Sequence, residues 1–351
     1  MKGLGARIGG YRNAIAAPLY FRHPASFEHD TGAHPENAER IRTVEALLEE
    51  RDWLGYEVRE APRVTEEQLL GVHPPAQVDV VREHCERGVP FDIDTPTSPG
   101  SWEAALRSAG AACALAQALL AGDAPTGFCG LRPPGHHAEA DRAMGFCLFS
   151  NVAVAARHAI DSLGVERVLV LDWDVHHGNG THAIFHSSPE VLFASIHQWP
   201  FYPGTGALAD AGSGPGEGFT INLPVPAGAG EEEFVGLVQH VVSPAAREFR
   251  PGLILISAGF DAHREDPLAD CELETSSFAQ LAAEVGALAD VLDVPVGAVL
   301  EGGYDTGALG ESVAATMEVL ATGGEARRVE PGPVVTAAAR EVWRYWSAVS
   351  A

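Results

Sequence analysis

Short apolar runs along this chain alternate with longer stretches in which apolar positions return every three or four residues. The short runs are Thr126 to Leu131, Val168 to Leu171, Val191 to Ile196, Phe219 to Leu223, Leu253 to Ser257 and Val296 to Leu300, and they predict strands. Ala14 to Tyr20 predicts one more near the start. Val168 to Leu171 has no polar position, which predicts a strand buried on both faces. The longer stretches predict helices. Pro35-Glu36-Asn37 opens one that runs to about Glu50, with Ile41, Val44, Leu47 and Leu48 on one face. Ser101 is read as the cap of an alanine-rich helix to about Ala121. Others are expected near 65–87, 150–163, 231–248, 275–291, 306–321 and 335–348.

Strand and helix in alternation predict an α/β fold with a central parallel sheet flanked by helices. The chain has no internal repeat, no linker of low complexity and no second apolar core. All 351 residues are therefore read as one domain, with its core at about 14–348.

Four of the predicted strands run directly into polar segments. Thr126 to Leu131 leads to Arg132-Pro133-Pro134-Gly135-His136-His137-Ala138-Glu139, and Val168 to Leu171 leads to Asp172-Trp173-Asp174-Val175-His176-His177-Gly178-Asn179-Gly180. The strand at 253–257 leads to Ala258-Gly259-Phe260-Asp261-Ala262-His263, and the last one to Glu301-Gly302-Gly303-Tyr304-Asp305. Ligand sites in open parallel sheets gather at the carboxyl ends of the strands, so the four segments predict one site.

On extended backbone, side chains two apart point the same way. Asp174 and His176 can then face one point with Val175 turned away, and Asp172 begins on the same side. Carboxylate and imidazole donors suit zinc or a similar divalent ion. A plain strand cap would not collect so many charges, because burying them without a partner is costly. The 258–263 segment supplies a third ligand. The loop carrying His23, His29, Asp30 and His34 is read as ordinary polar loop. Trp199 to Gly218 is long for a structureless connection, and its aromatics suit the wall of a ligand pocket.

Composition narrows the partners. With 23 basic and 48 acidic residues the chain carries a formal charge of −25, which disfavours nucleic acid and attracts cations, polyamines and basic protein tails. No stretch is read as apolar over the ~18 residues a membrane helix needs, and the N-terminus lacks a signal-peptide core, so a cytoplasmic protein is expected. Five scattered cysteines without a Cys-x-x-Cys pair fit reduced thiols. A homo-oligomer is left open.

With these segments in hand, the chain resembles the zinc-dependent histone deacetylase family, which includes acetylpolyamine amidohydrolases and bacterial deacetylase-like amidohydrolases. The motifs that carry the resemblance are Arg-Pro-Pro-Gly-His-His-Ala (132–138), Met-Gly-Phe-Cys (144–147), Asp-Trp-Asp-Val-His-His-Gly-Asn-Gly-Thr (172–181), Pro-Gly-Thr-Gly (203–206), Ala-Gly-Phe-Asp (258–261) and Glu-Gly-Gly-Tyr (301–304). The resemblance implies the arginase–deacetylase fold and hydrolysis of an acyl amide by metal-activated water. It implies Asp174, His176 and Asp261 as zinc ligands and His137 as general base. His136 is its partner at the leaving group, Asp172 the carboxylate that orients His136, and Tyr304 the oxyanion donor. Asn179 stands behind His137 where many relatives have aspartate, as in the class II branch, and should leave His137 the less basic of the pair.

By the same resemblance Gly145 and Phe146 form one wall of an acyl-lysine tunnel, with Tyr202 opposite and Phe201 as the alternative. Asp94 matches a rim carboxylate, Leu268 a rim position that is glutamate in a polyamine-selective relative, and Gly303 makes room beside Tyr304. Potassium is implied at Asp172, Ser195 and Ile196, with a second site at Phe185, Ser188, Val191 and Phe219. The implied substrate is an acetylated lysine side chain. An acetylated polyamine or another small acyl amide is the alternative, and a non-catalytic acyl-lysine binder is a third reading.

Overall fold

The computed structural model describes residues 16–350. Eight strands form one all-parallel sheet: β1 Leu19–Arg22, β2 Glu57–Glu60, β3 Thr126–Cys129, β4 Val168–Asp172, β5 Val191–Gln198, β6 Thr220–Val225, β7 Leu253–Ala258 and β8 Val296–Leu300. Their order is β2-β1-β3-β8-β7-β4-β5-β6. The four strands that run into polar segments, β3, β8, β7 and β4, are therefore neighbours in the middle of the sheet. This adjacency turns four distant stretches of sequence into one place.

Each central strand divides its side chains between two apolar layers, as a period of two requires. Leu169, Leu171, Ile254, Ile256, Ala298 and Leu300 face one layer. Val168, Val170, Leu253, Leu255 and Val299 face the other. The first layer is closed by the helices Ala38–Glu50, Thr275–Leu292, Thr306–Thr322 and Pro333–Val342, and the second by Ser101–Ala121 and Asn151–Ser162. A fully buried leucine or isoleucine in such a layer contributes roughly 1.5–3 kcal/mol. The alternation carries on past β4. Trp173 and Val175 stay in the first layer, which leaves Asp172, Asp174 and His176 to the opposite side.

Some sequence expectations need correction. The first strand begins at Leu19, because Pro18 precedes it; positions 14 and 15 lie outside the described residues. β2 was not expected at all: it is a short edge strand whose Glu57, Arg59 and Glu60 give no apolar signal. Ser101 is the first helical residue and not the cap, which is Gly100. The Ser101 hydroxyl instead accepts from the Ser98 amide at 2.8 Å and meets His29 Nδ1 at 2.6 Å. The segment near 231–248 is broken by a π-turn at Val238–Val242, just before Pro244. The last helix stops at Val342. Ser101–Ala121 is, by length and composition, apolar enough to cross a membrane, contrary to the expectation that no stretch is; most of that window is buried inside the fold.

Candidate active site

At the carboxyl edge of β4 and β7, three donors meet. A carboxylate oxygen of Asp174, Nδ1 of His176 and a carboxylate oxygen of Asp261 lie within 4.8 Å of one another, all buried. His176 Nδ1 stands 3.2 Å from Asp174 Oδ1 and 3.0 Å from Asp261 Oδ2. Backbone amides fix both acids: Gly302 donates to Asp174 Oδ2 at 2.8 Å, His176 to Asp174 Oδ1 at 2.9 Å and Val175 to Asp261 Oδ1 at 2.9 Å. Glycine is required at Gly259 and Gly302 because a Cβ there would lie 2.1 Å from Asp174 Oδ2 and 2.2 Å from Asp261 Oδ2.

Burial opposes charge on all three groups, yet they remain close. The Asp261 carboxyl is pushed up to about 7 by burial and by the charge of Asp174. Burial would lower His176, but Asp174 and Asp261 hold it up at about 10. Two buried carboxylates and an imidazole pressed together suit a divalent cation, which satisfies both negative charges at once. His263, the other candidate in that segment, bonds to the Glu265 amide and stacks on Phe278, which leaves Asp261 as the segment's donor in the cluster.

The His136–His137 pair enters from the end of β3, with ring centroids 4.0 Å apart and opposite electrostatics. His136 Nδ1 lies 3.0 Å from Asp172 Oδ2 and its Nε2 3.8 Å from Asp174 Oδ1. Burial disfavours its cation, but Asp174 and Asp172 raise its pKa well above the ordinary 6.5. His137 is pushed well below 6.5 by burial and by the neighbouring His136 and His176. Asn179 Nδ2 donates to Glu139 Oε1 at 2.8 Å, which turns Oδ1 toward His137 Nδ1, also at 2.8 Å. His137 Nδ1 thus carries the proton, and Nε2 keeps a lone pair. Glu301 supports the pair from β8, accepting from the amides of Gly135 at 2.6 Å and His136 at 3.0 Å.

A cavity of about 210 Å³ opens above these groups, lined by Asp94, His137, Gly145, Phe146, His176, Phe201, Tyr202, Leu268 and Tyr304. Seven of these are residues expected to contact substrate or the oxyanion. The opposite wall is shared: Tyr202 stands edge-on to His137 at 5.2 Å, and Phe201 stacks on His176 at 5.3 Å. Phe146 meets the Tyr304 ring at 5.7 Å. Asp94 is exposed at the rim. Gly303 does not line the cavity; it is buried, and a Cβ on it would crowd Leu309 and Phe260.

Several supports escaped sequence reasoning. Arg40 donates from Nε to Gly303 O and from Nη2 to Glu301 O, each at 2.6 Å. Arg132 is fully buried and forks onto Glu36, with Nε 2.5 Å from Oε1 and Nη2 2.6 Å from Oε2. Asp266 Oδ2 accepts from the Tyr304 amide at 2.6 Å. A clue existed for Arg40 alone, a charge among apolar helix positions. Of the residues expected at potassium sites, Asp172 and Ser195 are register partners on β4 and β5, with Ile196 next along the strand. The Ser195 hydroxyl bonds to His197 Nδ1 at 3.0 Å. Phe185, Ser188 and Val191 follow one another across the connection into β5, and Phe219 O accepts from the Phe193 amide at 2.9 Å.

A buried site of paired histidines and clustered acids at the carboxyl edge of a parallel sheet defines a hydrolase-type α/β protein. Residues 34–320 match the histone deacetylase domain, and the chain belongs to that family. It is 43% identical over 255 residues to a histone deacetylase-like amidohydrolase of Pseudomonas aeruginosa, covering 72% of this chain and 67% of that one. It is 40% identical over 308 residues to a probable deacetylase of Methanothermobacter thermautotrophicus, covering 85% and 89%. The crystal structure of the HDA15 HD domain superposes with a TM-score of 0.88 at 34% identity, covering 95% of this chain and 97% of that one. The fold is the arginase–deacetylase fold implied by the motifs.

Proposed function

We propose that this protein is a zinc-dependent amidohydrolase that removes acetyl groups from lysine side chains of proteins or peptides. The observation that carries the proposal is the cavity lined by His137, Tyr304 and His176, the last of which belongs to the buried donor trio with Asp174 and Asp261. Those three residues would hold the zinc, which when bound lowers the pKa of water and polarises a carbonyl.

The remaining work falls to the chain. His137, with Nε2 free and its proton fixed at Nδ1 by Asn179, takes a proton from the attacking water. His136, oriented by Asp172 at 3.0 Å from its Nδ1, holds the departing amine and supplies its proton. The Tyr304 hydroxyl donates to the oxygen that becomes negative as the amide is attacked. Phe146 and Tyr202 flank the apolar methylenes of the lysine stem, and Asp94 at the rim accepts backbone amides of the substrate. Potassium at Asp172, Ser195 and Ile196, and a second ion at the carbonyls of Phe185, Ser188, Val191 and Phe219, would brace β4 and β5 from behind.

A second substrate reading, acetylated polyamines, is favoured by the net charge of −25. Leu268 on the cavity wall argues the other way, since an apolar residue there offers no counter-charge to a free polyamine. Rates on an acetyl-lysine peptide, N-acetylputrescine and N-acetylspermidine distinguish the two. A faster peptide reaction supports the proposal; strong preference for the free polyamines overturns it.

A further inference from the structure

The second His-His pair leads away from the cavity. His177 Nδ1 lies 2.8 Å from Thr205 Oγ1, and its Nε2 lies 3.0 Å from His182 Nδ1. His182 sits in the short helix Asn179–Phe185, and His186 caps its end, four residues on and so on the same face. Their rings stack at 5.0 Å. Both Nε2 atoms point at Asp210, from the long loop after β5: His182 Nε2 is 3.4 Å from Oδ2 and His186 Nε2 is 3.0 Å from Oδ1. One donor atom from each of the three residues lies within 4.8 Å of the others.

We infer that His182, His186 and Asp210 form a second divalent-cation site, of the zinc class, distinct from the site proposed for catalysis. The donor set is two imidazoles and a carboxylate, a set that zinc accepts. The spacing also fits. Ligands about 2.0–2.1 Å from a tetrahedral ion are roughly 3.3 Å from one another, close to the separations already present.

The outer partners are built as well. A metal-bound imidazole needs an acceptor for its other N–H. Ser213 Oγ stands 3.0 Å from His186 Nδ1, and His177 Nε2 serves His182 Nδ1. The backbone around Asp210 is held on both sides: its amide donates to Ala207 O at 2.9 Å, and its carbonyl accepts from Asn222 Nδ2 at 2.8 Å. The Ser213 amide donates to His186 O at 2.8 Å, tying the loop to the helix end. The side chains of His186 and Asp210 are 33% and 44% exposed, so an ion can enter from solvent and keep water in its open position. None of the three residues lines the catalytic cavity.

Without an ion, His186 Nε2 is within hydrogen-bond distance of Asp210 Oδ1 at 3.0 Å, and His182 Nε2 stands 3.4 Å from Oδ2 as an ion-pair contact. With an ion on both Nε2 atoms, the protons would sit on Nδ1, facing Ser213 and His177. Occupation would fasten the 205–213 loop, whose upstream residues Phe201 and Tyr202 wall the cavity, to the 179–185 helix.

The test is equilibrium dialysis of chelator-stripped protein against Zn2+, with metal counted per chain, for the unsubstituted protein and for His186→Gln, Asp210→Asn and Asp261→Ala. The unsubstituted protein should take up two equivalents. His186→Gln and Asp210→Asn, both at part-exposed positions, should each take up one and keep full hydrolytic activity. Asp261→Ala should also take up one, but with activity lost. Co2+ titration of the unsubstituted protein gives a readout free of mutation: the second equivalent should add visible absorption of tetrahedral N/O ligation. Uptake of a single equivalent by the unsubstituted protein, or of two by both His186→Gln and Asp210→Asn, would overturn the inference without touching the catalytic proposal.

Discussion

The guanidinium of Arg40 lies 4.9 Å from the ring of Tyr304 and holds the backbone on which that ring stands, through the carbonyls of Glu301 and Gly303. Arg40 comes from the 38–50 helix, more than 260 residues away in sequence, and is itself buried against Glu36. Through those carbonyls it would set where the Tyr304 hydroxyl points. Replacing Arg40 with methionine should leave the carbonyls and Glu36 underpaired and cost about 3–5 kcal/mol of stability. Thermal unfolding gives that number. At temperatures where the variant stays folded, kcat should fall more than KM rises, because the tyrosine is displaced and not removed.

Tyr304→Phe deletes the hydroxyl and keeps the ring against Phe146. Removing one oxyanion donor lowers turnover by about 100- to 1,000-fold. Steady-state kinetics on an acetyl-lysine peptide should show that loss in kcat, with the melting temperature within a few degrees of the parent. A rate near the parent's would remove Tyr304 from the reaction.

Asn179→Asp places a carboxylate 2.8 Å from His137 Nδ1, where an amide oxygen now stands. Burial and the neighbouring imidazoles hold His137 well below 6.5, so its base form persists into mild acid. A negative charge at Nδ1 stabilises the cation and raises that pKa. The acid limb of the kcat/KM profile should therefore move to higher pH in Asn179→Asp. A limb that stays in place would mean that another group is the base.

Glu36 gives a pH dependence that involves no catalytic group. Burial alone would raise its carboxyl, but the forked Arg132 and the nearby Arg40 hold it down at about 2 from the ordinary 4.5. Because the folded pKa is the lower one, the stabilisation is complete above about pH 4.5 and is lost as pH falls toward 2. Urea unfolding between pH 5 and pH 2.5 should show a steep loss for the parent. Glu36→Gln should start less stable and show a shallower slope over that window.

The central strands were legible because they are apolar without interruption, as burial on both faces demands. β2 was not, because an edge strand with Glu57, Arg59 and Glu60 reads like a loop. Asp174 and His176 could be paired from their spacing on extended backbone, and a third ligand placed in 258–263 because that segment ends a strand of the same kind; only the resemblance singled out Asp261 within it. The supports were hidden for a different reason. Arg40 meets Gly303, Arg132 meets Glu36, and His186 meets Asp210 only after the sheet order is known, and no local pattern encodes such partners. The long loop after β5 was expected to be functional from its length; that Phe201 and Tyr202 both face the cavity follows from their ring contacts with His176 and His137.

The central claim to test is that a divalent ion held by Asp174, His176 and Asp261 does the hydrolysis. Acetate release from an acetyl-lysine peptide, followed while Zn2+ is titrated into chelator-stripped parent protein and into Asp261→Ala, measures this directly. The parent should be inert when stripped and regain its rate as zinc is added, and Asp261→Ala should stay inert throughout with its fold intact by circular dichroism. Steady hydrolysis by the stripped parent, or a restored rate in Asp261→Ala, would contradict it.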